Sequence, residues 1–154
     1  MKAMRLIVAA ACLASGLAVP AFADDDDKDK TVVAQVNTDR GPIWVKMKAK
    51  DWDREHRTWV QRGGYVGYRV PDDKFTMYFG PEKTFRINTL PYRDMSGRPY
   101  FQYNGYWMTI VDPWPQTWPE GWYDTDDLYV RWDNGYYLYN RKYPDVGLSL
   151  EIRQ

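Results

Sequence analysis

The sequence predicts a mainly β fold: a small antiparallel sheet or open barrel built from hairpins, with one or two short helices and a loop rich in Trp and Pro. The first observation is a pair of aromatic and β-branched runs, residues 100–103 and 106–111, on either side of Asn104-Gly105. Asn and Gly tolerate the positive φ angles of a two-residue hairpin turn. We therefore expect a hairpin here, within a β-rich core domain over residues 71–154.

A second pair of runs predicts a second hairpin. Residues 128–132 and 136–140 flank Asp133-Asn134-Gly135. A three-residue loop would place Trp132 on the same face as Tyr136, whereas a two-residue loop would reverse the partner strand. The sequence leaves both registers open.

The other elements of the core domain follow from local patterns. Residues 71–80 carry aromatic side chains at helical spacing and predict a short amphipathic helix. A strand is predicted over residues 83–90 and a turn over residues 91–97. Residues 146–152 alternate between apolar and polar side chains, which is the clearest strand signal in the chain.

Residues 41–70 are expected to be only partly ordered. Residues 43–49 alternate with a period of two and predict a half-buried strand whose lysines would suit a sheet edge. From Asp51, a pattern with the spacing of a helix runs until Gly63-Gly64, which would end it. This second stretch is interpreted as either a short helix or a loop.

The N-terminus has the pattern of a cleavable secretory signal peptide over residues 1–23. Lys2 and Arg5 precede a short apolar run, and residues 20–23 end in a small-residue cleavage pattern. We expect cleavage after Ala23, a secreted or periplasmic location and no transmembrane anchor once the signal is removed. A lipoprotein signal at Cys12 is the less favoured alternative, because the apolar run continues well past it.

The chain that remains after cleavage has a composition that excludes several classes of protein. Residues 24–40 form an acidic leader that we expect to be disordered. Without Lys2 and Arg5, 19 of the 21 basic residues remain against 21 acidic ones, so the net charge is −2 and no nucleic-acid partner is indicated. Cys12 is the only cysteine, so the mature protein can be neither a thiol enzyme nor a Cys-ligated metal protein.

The density of aromatic residues is the largest anomaly. Between residues 100 and 143, 15 of 44 residues are Phe, Trp or Tyr, more ring surface than one small interior is expected to hide. Proline forbids a helix between residues 112 and 122, so an extended loop is expected there. It would be either a lid on the core or a flat platform for a ligand. The candidate ligand-binding residues are Trp107, Trp114, Trp118, Trp122 and Tyr123.

Metal and catalytic sites have weaker signals. Asp124, Asp126 and Asp127 are the candidates for a calcium site, but their spacing does not match a calcium loop, and turn formation explains them better. His56 is the only histidine, and the mature chain has only Ser96 and Ser149 as serines. We therefore expect no cofactor, no resident metal and no catalytic residues.

Five motifs resemble those of a group of secreted, Trp- and Tyr-rich bacterial proteins that carry them in the same order. They are Phe85-Arg-Ile87, Phe101-Gln-Tyr-x-Gly-Tyr-Trp107, Val111-Asp-Pro-Trp-Pro115, Trp122-Tyr-Asp-Thr-Asp-Asp127 and Gly135-Tyr-Tyr-Leu-Tyr-Asn140. The resemblance implies an exported protein and brings no activity or site residues with it. A looser similarity to small periplasmic metal-homeostasis proteins of the RcnB type is weakened by the single histidine.

These observations predict a non-enzymatic exported protein that binds or scaffolds through an aromatic surface. The expected partner is a glycan or a protein of the cell envelope. The first alternative is a carbohydrate-binding module in which Trp114, Trp118 and Trp122 stack on sugar rings. The second is a small enzyme acting on envelope glycans, which would need Glu120 together with Asp124 or Asp127 across a cleft.

Overall fold

The computed structural model describes residues 40–154, so the predicted signal peptide and residues 24–39 of the predicted leader lie outside the described residues. Arg40, the last residue assigned to that leader, is buried, and its guanidinium donates to the Ile87 and Leu90 carbonyls at 2.9 Å. The centre of the described chain is one open antiparallel sheet with the strand order β1-β2-β3-β6-β5-β4. The strands are β1 Tyr92–Met95, β2 Arg98–Tyr103, β3 Tyr106–Ile110, β4 Leu128–Trp132, β5 Tyr136–Asn140 and β6 Tyr143–Arg153. The predicted mainly β class is confirmed.

Both predicted hairpins are present. Asn104 and Gly105 have φ angles of 49° and 85°, and Tyr103 pairs with Tyr106 across this turn. In the second hairpin Trp132 pairs with Tyr136, so the loop has three residues and the first of the two registers is correct. Local turn chemistry thus determined both connections.

The last strand, β6, lies between the two hairpins and joins them. Its Ile152 pairs with Met108 of β3, and its Leu148 pairs with Leu138 of β5. These four side chains are fully buried on one face of the sheet. The strict alternation that predicted this strand therefore reflects one face packed against the core.

The strand predicted over residues 43–49 is wrong. Helix α1, Gly41–Lys46, occupies most of this segment, with Pro42 in its first turn, where proline is favoured. Trp44 faces the core and is fully buried, while only Lys48 makes a bridge, which is parallel and pairs with Trp114. Burial of one large indole outweighed the period-two pattern.

The helices that follow are short. Helix α2, Trp52–Glu55, is a single turn. The Glu55 carboxylate accepts hydrogen bonds from the backbone amides of Lys50 and Asp51, both at 2.8 Å. Helix α3, Asp72–Tyr78, agrees with the prediction for residues 71–80. None of the helices within residues 40–154 has the length and apolar character needed to cross a membrane.

The strand predicted over residues 83–90 is also wrong. Only Phe85 pairs, in an isolated antiparallel bridge with Leu128, and residues Ile87–Thr89 form a 3-10 helix. The turn predicted over residues 91–97 is shorter than expected, because β1 begins at Tyr92. Side-chain packing of Phe85 and Ile87, both buried, fixes this segment instead of a regular strand ladder.

Trp59 packs against the turn of the second hairpin. Its indole nitrogen donates to the Tyr136 carbonyl at 2.9 Å, and its backbone amide donates to the Tyr137 hydroxyl at 2.7 Å. The ring lies so close to the Gly135 Cα that a side chain there would overlap the indole. Residues 56–62 are thereby held against the sheet.

This contact predicts unequal effects for two glycine substitutions. Gly105→Ala meets open space at a φ of 85°, so we expect it to lower the free energy of unfolding by about 1 kcal/mol. Gly135→Ala has a φ of 154° and also displaces the Trp59 ring, so we expect a loss of about 3 kcal/mol. Urea unfolding of both variants tests this, and equal losses would show that Trp59 does not pack on the turn.

Candidate functional site

The structure brings four of the five predicted ligand-binding residues together, but inside the protein. Trp114, Trp118 and Trp122 are at most 1% exposed, and Tyr123 is 8% exposed. Trp44 from α1 completes this group, which we call the tryptophan cluster. Trp107 is not part of it and lies on β3, with the Arg93 guanidinium 4.1 Å from its ring centre.

Two consecutive turns position these indoles. The Trp118 amide donates to the Pro115 carbonyl at 3.1 Å, and the Trp122 amide donates to the Pro119 carbonyl at 3.2 Å. Helix α4, Trp122–Thr125, follows directly. The predicted extended loop is therefore wrong, because each proline begins a turn that folds the next tryptophan back onto the core.

The rings of the tryptophan cluster pack edge to face. Trp122 lies 5.0 Å from Trp118 with an interplanar angle of 70°, and 5.9 Å from Trp44 with an angle of 58°. Within the described chain, no hydrogen-bond acceptor is found for the indole nitrogens of Trp44, Trp118 and Trp122. Burying these donors opposes part of the stabilisation that the ring packing provides.

The structure therefore contradicts an exposed platform at residues 112–122. It agrees with the alternative prediction, in which these residues form a lid on the core. Lys48 covers the outside of the cluster, with its ammonium 4.9 Å from the Trp114 ring centre and 2.7 Å from a Glu120 carboxylate oxygen. No indole of the loop has a free face on which a sugar could stack.

The three aspartates after the loop have three different partners. Asp124 accepts a hydrogen bond from the Asn88 side chain, and Asp127 pairs with Arg86 at 3.0 Å. Asp126 is fully buried. Among the residues that the structure describes, no group of three acidic, His or Cys side chains is arranged to hold a metal ion.

Asp126 ties α4 to the hairpin between β5 and β6. Its carboxylate accepts hydrogen bonds from Lys142 Nζ at 2.6 Å, Asn140 Nδ2 at 2.7 Å and the Thr125 hydroxyl at 3.1 Å. Burial on its own raises the pKa of Asp126, but these hydrogen bonds together outweigh burial and hold the pKa below its ordinary value. Asp126 is a structural anion.

A second buried carboxylate, Asp112, lies just before the tryptophan-bearing turns. It accepts hydrogen bonds from the Arg62 guanidinium, from His56 Nδ1 at 3.1 Å, and from the backbone amides of Ser149 at 2.8 Å and Arg57 at 3.3 Å. Four donors surround one carboxylate whose side chain has no exposure. Residues 56–62 are therefore bound to β6 through Asp112.

The same contacts bring Ser, His and Asp together without forming a catalytic triad. A triad needs the serine hydroxyl on the histidine nitrogen that does not face the carboxylate. Here the Ser149 hydroxyl donates to the Arg57 carbonyl at 2.8 Å and is buried. The His56 ring stacks on Trp52 at 4.3 Å, which fixes its orientation. The arrangement positions a loop and does not activate a nucleophile.

Next to His56 lies an open cavity of about 280 Å³. We call it the β5–β6 cleft. It is lined by His56, Thr58, Val60, Asp133, Asn134, Tyr137, Tyr139, Asp145 and Gly147. One wall comes from the segment that Asp112 holds, and the floor comes from the face of the sheet opposite the core. We take this cleft as the candidate site.

Two tyrosines form the floor of the cleft. Tyr139 pairs with Gly147 across the strands, and its ring lies so close to this glycine that a Cβ would fall 2.7 Å from the ring. Burial raises the pKa of Tyr137 and of Tyr139, in the second case against the influence of Arg131. Both rings are thus neutral at physiological pH, and both keep their hydroxyl protons.

Sequence reasoning missed this cleft because its residues come from two segments, 56–60 and 133–147, that are distant in the sequence. His56 was singled out only as the one histidine, and Asp145 and Tyr139 carried no signal of their own. The one usable hint was Gly147, since a glycine within an alternating strand often marks a close approach by another group.

Comparison with protein-family profiles, with curated protein sequences and with solved structures finds no match for this chain. The resemblance to secreted Trp- and Tyr-rich proteins stays a prediction. Function must therefore be inferred from the geometry of the described residues.

Burial of the tryptophan cluster predicts which indoles a quencher reaches. Trp132 is 37% exposed, whereas Trp118 is 1% exposed. We expect Trp132→Phe to reduce the fraction of tryptophan fluorescence that acrylamide quenches, and Trp118→Phe to leave the remaining fluorescence at least as accessible. If Trp118→Phe instead reduced the quenchable fraction more than Trp132→Phe in Stern–Volmer plots, the loop over residues 112–122 would be an exposed platform.

The lowered pKa of Asp126 predicts how stability depends on pH. A carboxyl whose pKa is lower in the folded state stabilises the fold above its unfolded pKa, near 3.8, and loses this contribution as pH falls through the folded pKa. We expect Asp126→Asn to cost about 2 kcal/mol at neutral pH. The difference from wild type should shrink below the unfolded pKa, whereas a control variant at the exposed Glu82, Glu82→Gln, should show no such trend in urea unfolding.

Proposed function

We propose that this chain is an exported, non-enzymatic binding protein and that its ligand occupies the β5–β6 cleft. The observation that carries the proposal is the convergence of two tyrosine rings and two carboxylates, those of Asp133 and Asp145, around one open cavity. Apolar ring surface combined with a few polar groups is typical of small-molecule sites. The predicted aromatic binding surface is thereby assigned to tyrosines rather than to tryptophans.

A binding role fits these residues better than catalysis. His56 is the one histidine, and its Nδ1 is engaged by Asp112. The Ser149 hydroxyl is buried and donates to a backbone carbonyl, so it is not available as a nucleophile. The glycan-hydrolase alternative gains no support either, because Glu120 pairs with Lys48 and Asp127 pairs with Arg86.

Export is supported by the pattern of residues 1–23 and by the composition of the rest. A cysteine-free domain of this size depends on its own core in an oxidising compartment. The sheet and the tryptophan cluster supply such a core without disulfides. A secreted or periplasmic location is part of the proposal.

A carbohydrate ligand remains the alternative class, at a different place from the one first expected. The buried indoles of Trp114, Trp118 and Trp122 offer it no stacking face. The Tyr139 ring and the Asn134 side chain in the cleft offer a ring face and hydrogen-bonding groups. The cleft is therefore the proposed site for a small charged ligand and for a carbohydrate, and the test includes probes of both kinds.

The proposal predicts where ligands perturb the protein. We would titrate the mature chain with chitotetraose, inorganic phosphate and diaminobutane while recording two-dimensional amide NMR spectra. At least one probe should shift the amides of Thr58, Asn134 and Gly147. The amides of Gln116 and Glu120, in the loop over residues 112–122, should not shift. Shifts centred on the loop, or no saturable shifts with any probe, would refute the proposed site.

A further inference from the structure

Resting on the proposed function, we infer that the ligand of the β5–β6 cleft is a small organic cation, and that a linear diamine matches the cleft best. The argument uses the charge of the lining, the rings of its floor, and the size and shape of the cavity. Each of these is independent of the buried tryptophans.

The lining holds two aspartates, and its one basic side chain, His56, is already hydrogen-bonded to Asp112. Asp133 and Asp145 both line the cavity, and no Lys or Arg does. Within residues 40–154, neither carboxylate has a basic side chain at ion-pair distance, whereas Asp112 and Asp126 each have one. Unlike these two buried anions, Asp133 and Asp145 are exposed, so they can accept a charged partner from solution.

The floor is suited to a cation. A neutral tyrosine ring presents a negative face that attracts ammonium and guanidinium groups. The protein already uses this attraction elsewhere: the Arg69 guanidinium lies 3.4 Å from the Trp132 ring centre, and Arg93 lies over Trp107. Arg131 reaches the Tyr139 ring at 5.6 Å but does not line the cavity. The Tyr139 ring also stacks on Tyr129 at 5.5 Å, so a cation from solution would contact only the part of the ring that lines the cavity.

The shape selects a ligand with charge at both ends. Asp133 belongs to the hairpin turn before β5, and Asp145 precedes Gly147, which pairs with Tyr139 near the far end of β5. The two carboxylates therefore lie at opposite ends of the tyrosine floor. A cavity of about 280 Å³ is at the small end of ligand sites, so it fits a short chain rather than a polymer. Two ammonium groups joined by methylenes satisfy both constraints.

A matched pair of probes tests this inference. Diaminobutane and butanediol have nearly the same length and shape, but only the diamine is charged. We expect diaminobutane to shift the amides of Thr58, Asn134 and Gly147 saturably and butanediol to leave them unchanged at equal concentration. Raising the ionic strength should weaken the binding of the diamine, because salt screens exposed charges.

Variants that remove the charge of Asp133 or Asp145 provide a second test of the inference. Asp133→Asn and Asp145→Asn should each raise the Kd for diaminobutane about threefold, and the double variant about tenfold, as for solvent-exposed ion pairs. Asp73→Asn is the matched control. It removes an exposed carboxylate from α3, whose Phe75 packs on Tyr136 at the opposite face of the sheet, so the Kd should not change.

The outcomes separate the inference from the proposed function. If butanediol or chitotetraose shifts the cleft amides as strongly as the diamine, and the Asn variants bind it normally, the cleft is a binding site but its ligand is not a cation. If no probe shifts those amides, both the inference and the proposed function are overturned. Binding of the diamine that all three variants retain equally would also overturn the inference.

Discussion

The buried carboxylate of Asp112 is the interaction on which the arrangement outside the sheet depends. Its side chain has no exposure and accepts from Arg62, from His56 and from two backbone amides. An ion removed from water is tolerated only when such donors surround it, and removing one partner from a buried pair is strongly destabilising. Without this anion, residues 56–62 would keep mainly the contacts of Trp59, and the β5–β6 cleft would lose one wall.

The aromatic residues show why ring content is a poor guide to exposed surface. The expectation of a platform assumed a single interior bounded by the sheet. Instead, α1 and the two proline-initiated turns form a second layer, in which Trp44, Trp114, Trp118 and Trp122 pack on one another. Tilted packing allows each indole to be covered by the next one. Connecting segments can therefore bury as many rings as a sheet face does.

Elements fixed by local chemistry could be predicted from the sequence, and elements fixed by distant packing could not. The turn at Asn104-Gly105 and the alternation along β6 depend on φ angles and on one buried face, and both were predicted correctly. Residues 43–49 alternate as a strand does, yet burial of Trp44 made most of them helical. The cleft depends on residues 56–60 being held against the β5–β6 hairpin by Asp112 and Trp59, and no local pattern encodes such contacts.

The carboxylates at the β5–β6 cleft differ from the two buried ones, and this difference supports the assignment of the cleft. Asp112 and Asp126 are buried, each accepts several hydrogen bonds, and each joins elements that are distant in sequence. Asp133 and Asp145 line the cleft, are exposed to solvent, and form no ion pair among the described residues. An anion that maintains the fold is expected to be surrounded by donors. Within residues 40–154, the Asp133 carboxylate accepts only from the neighbouring Asn134 side chain at 3.3 Å, so these two exposed anions lack such surroundings, which agrees with the proposal that a ligand binds between them.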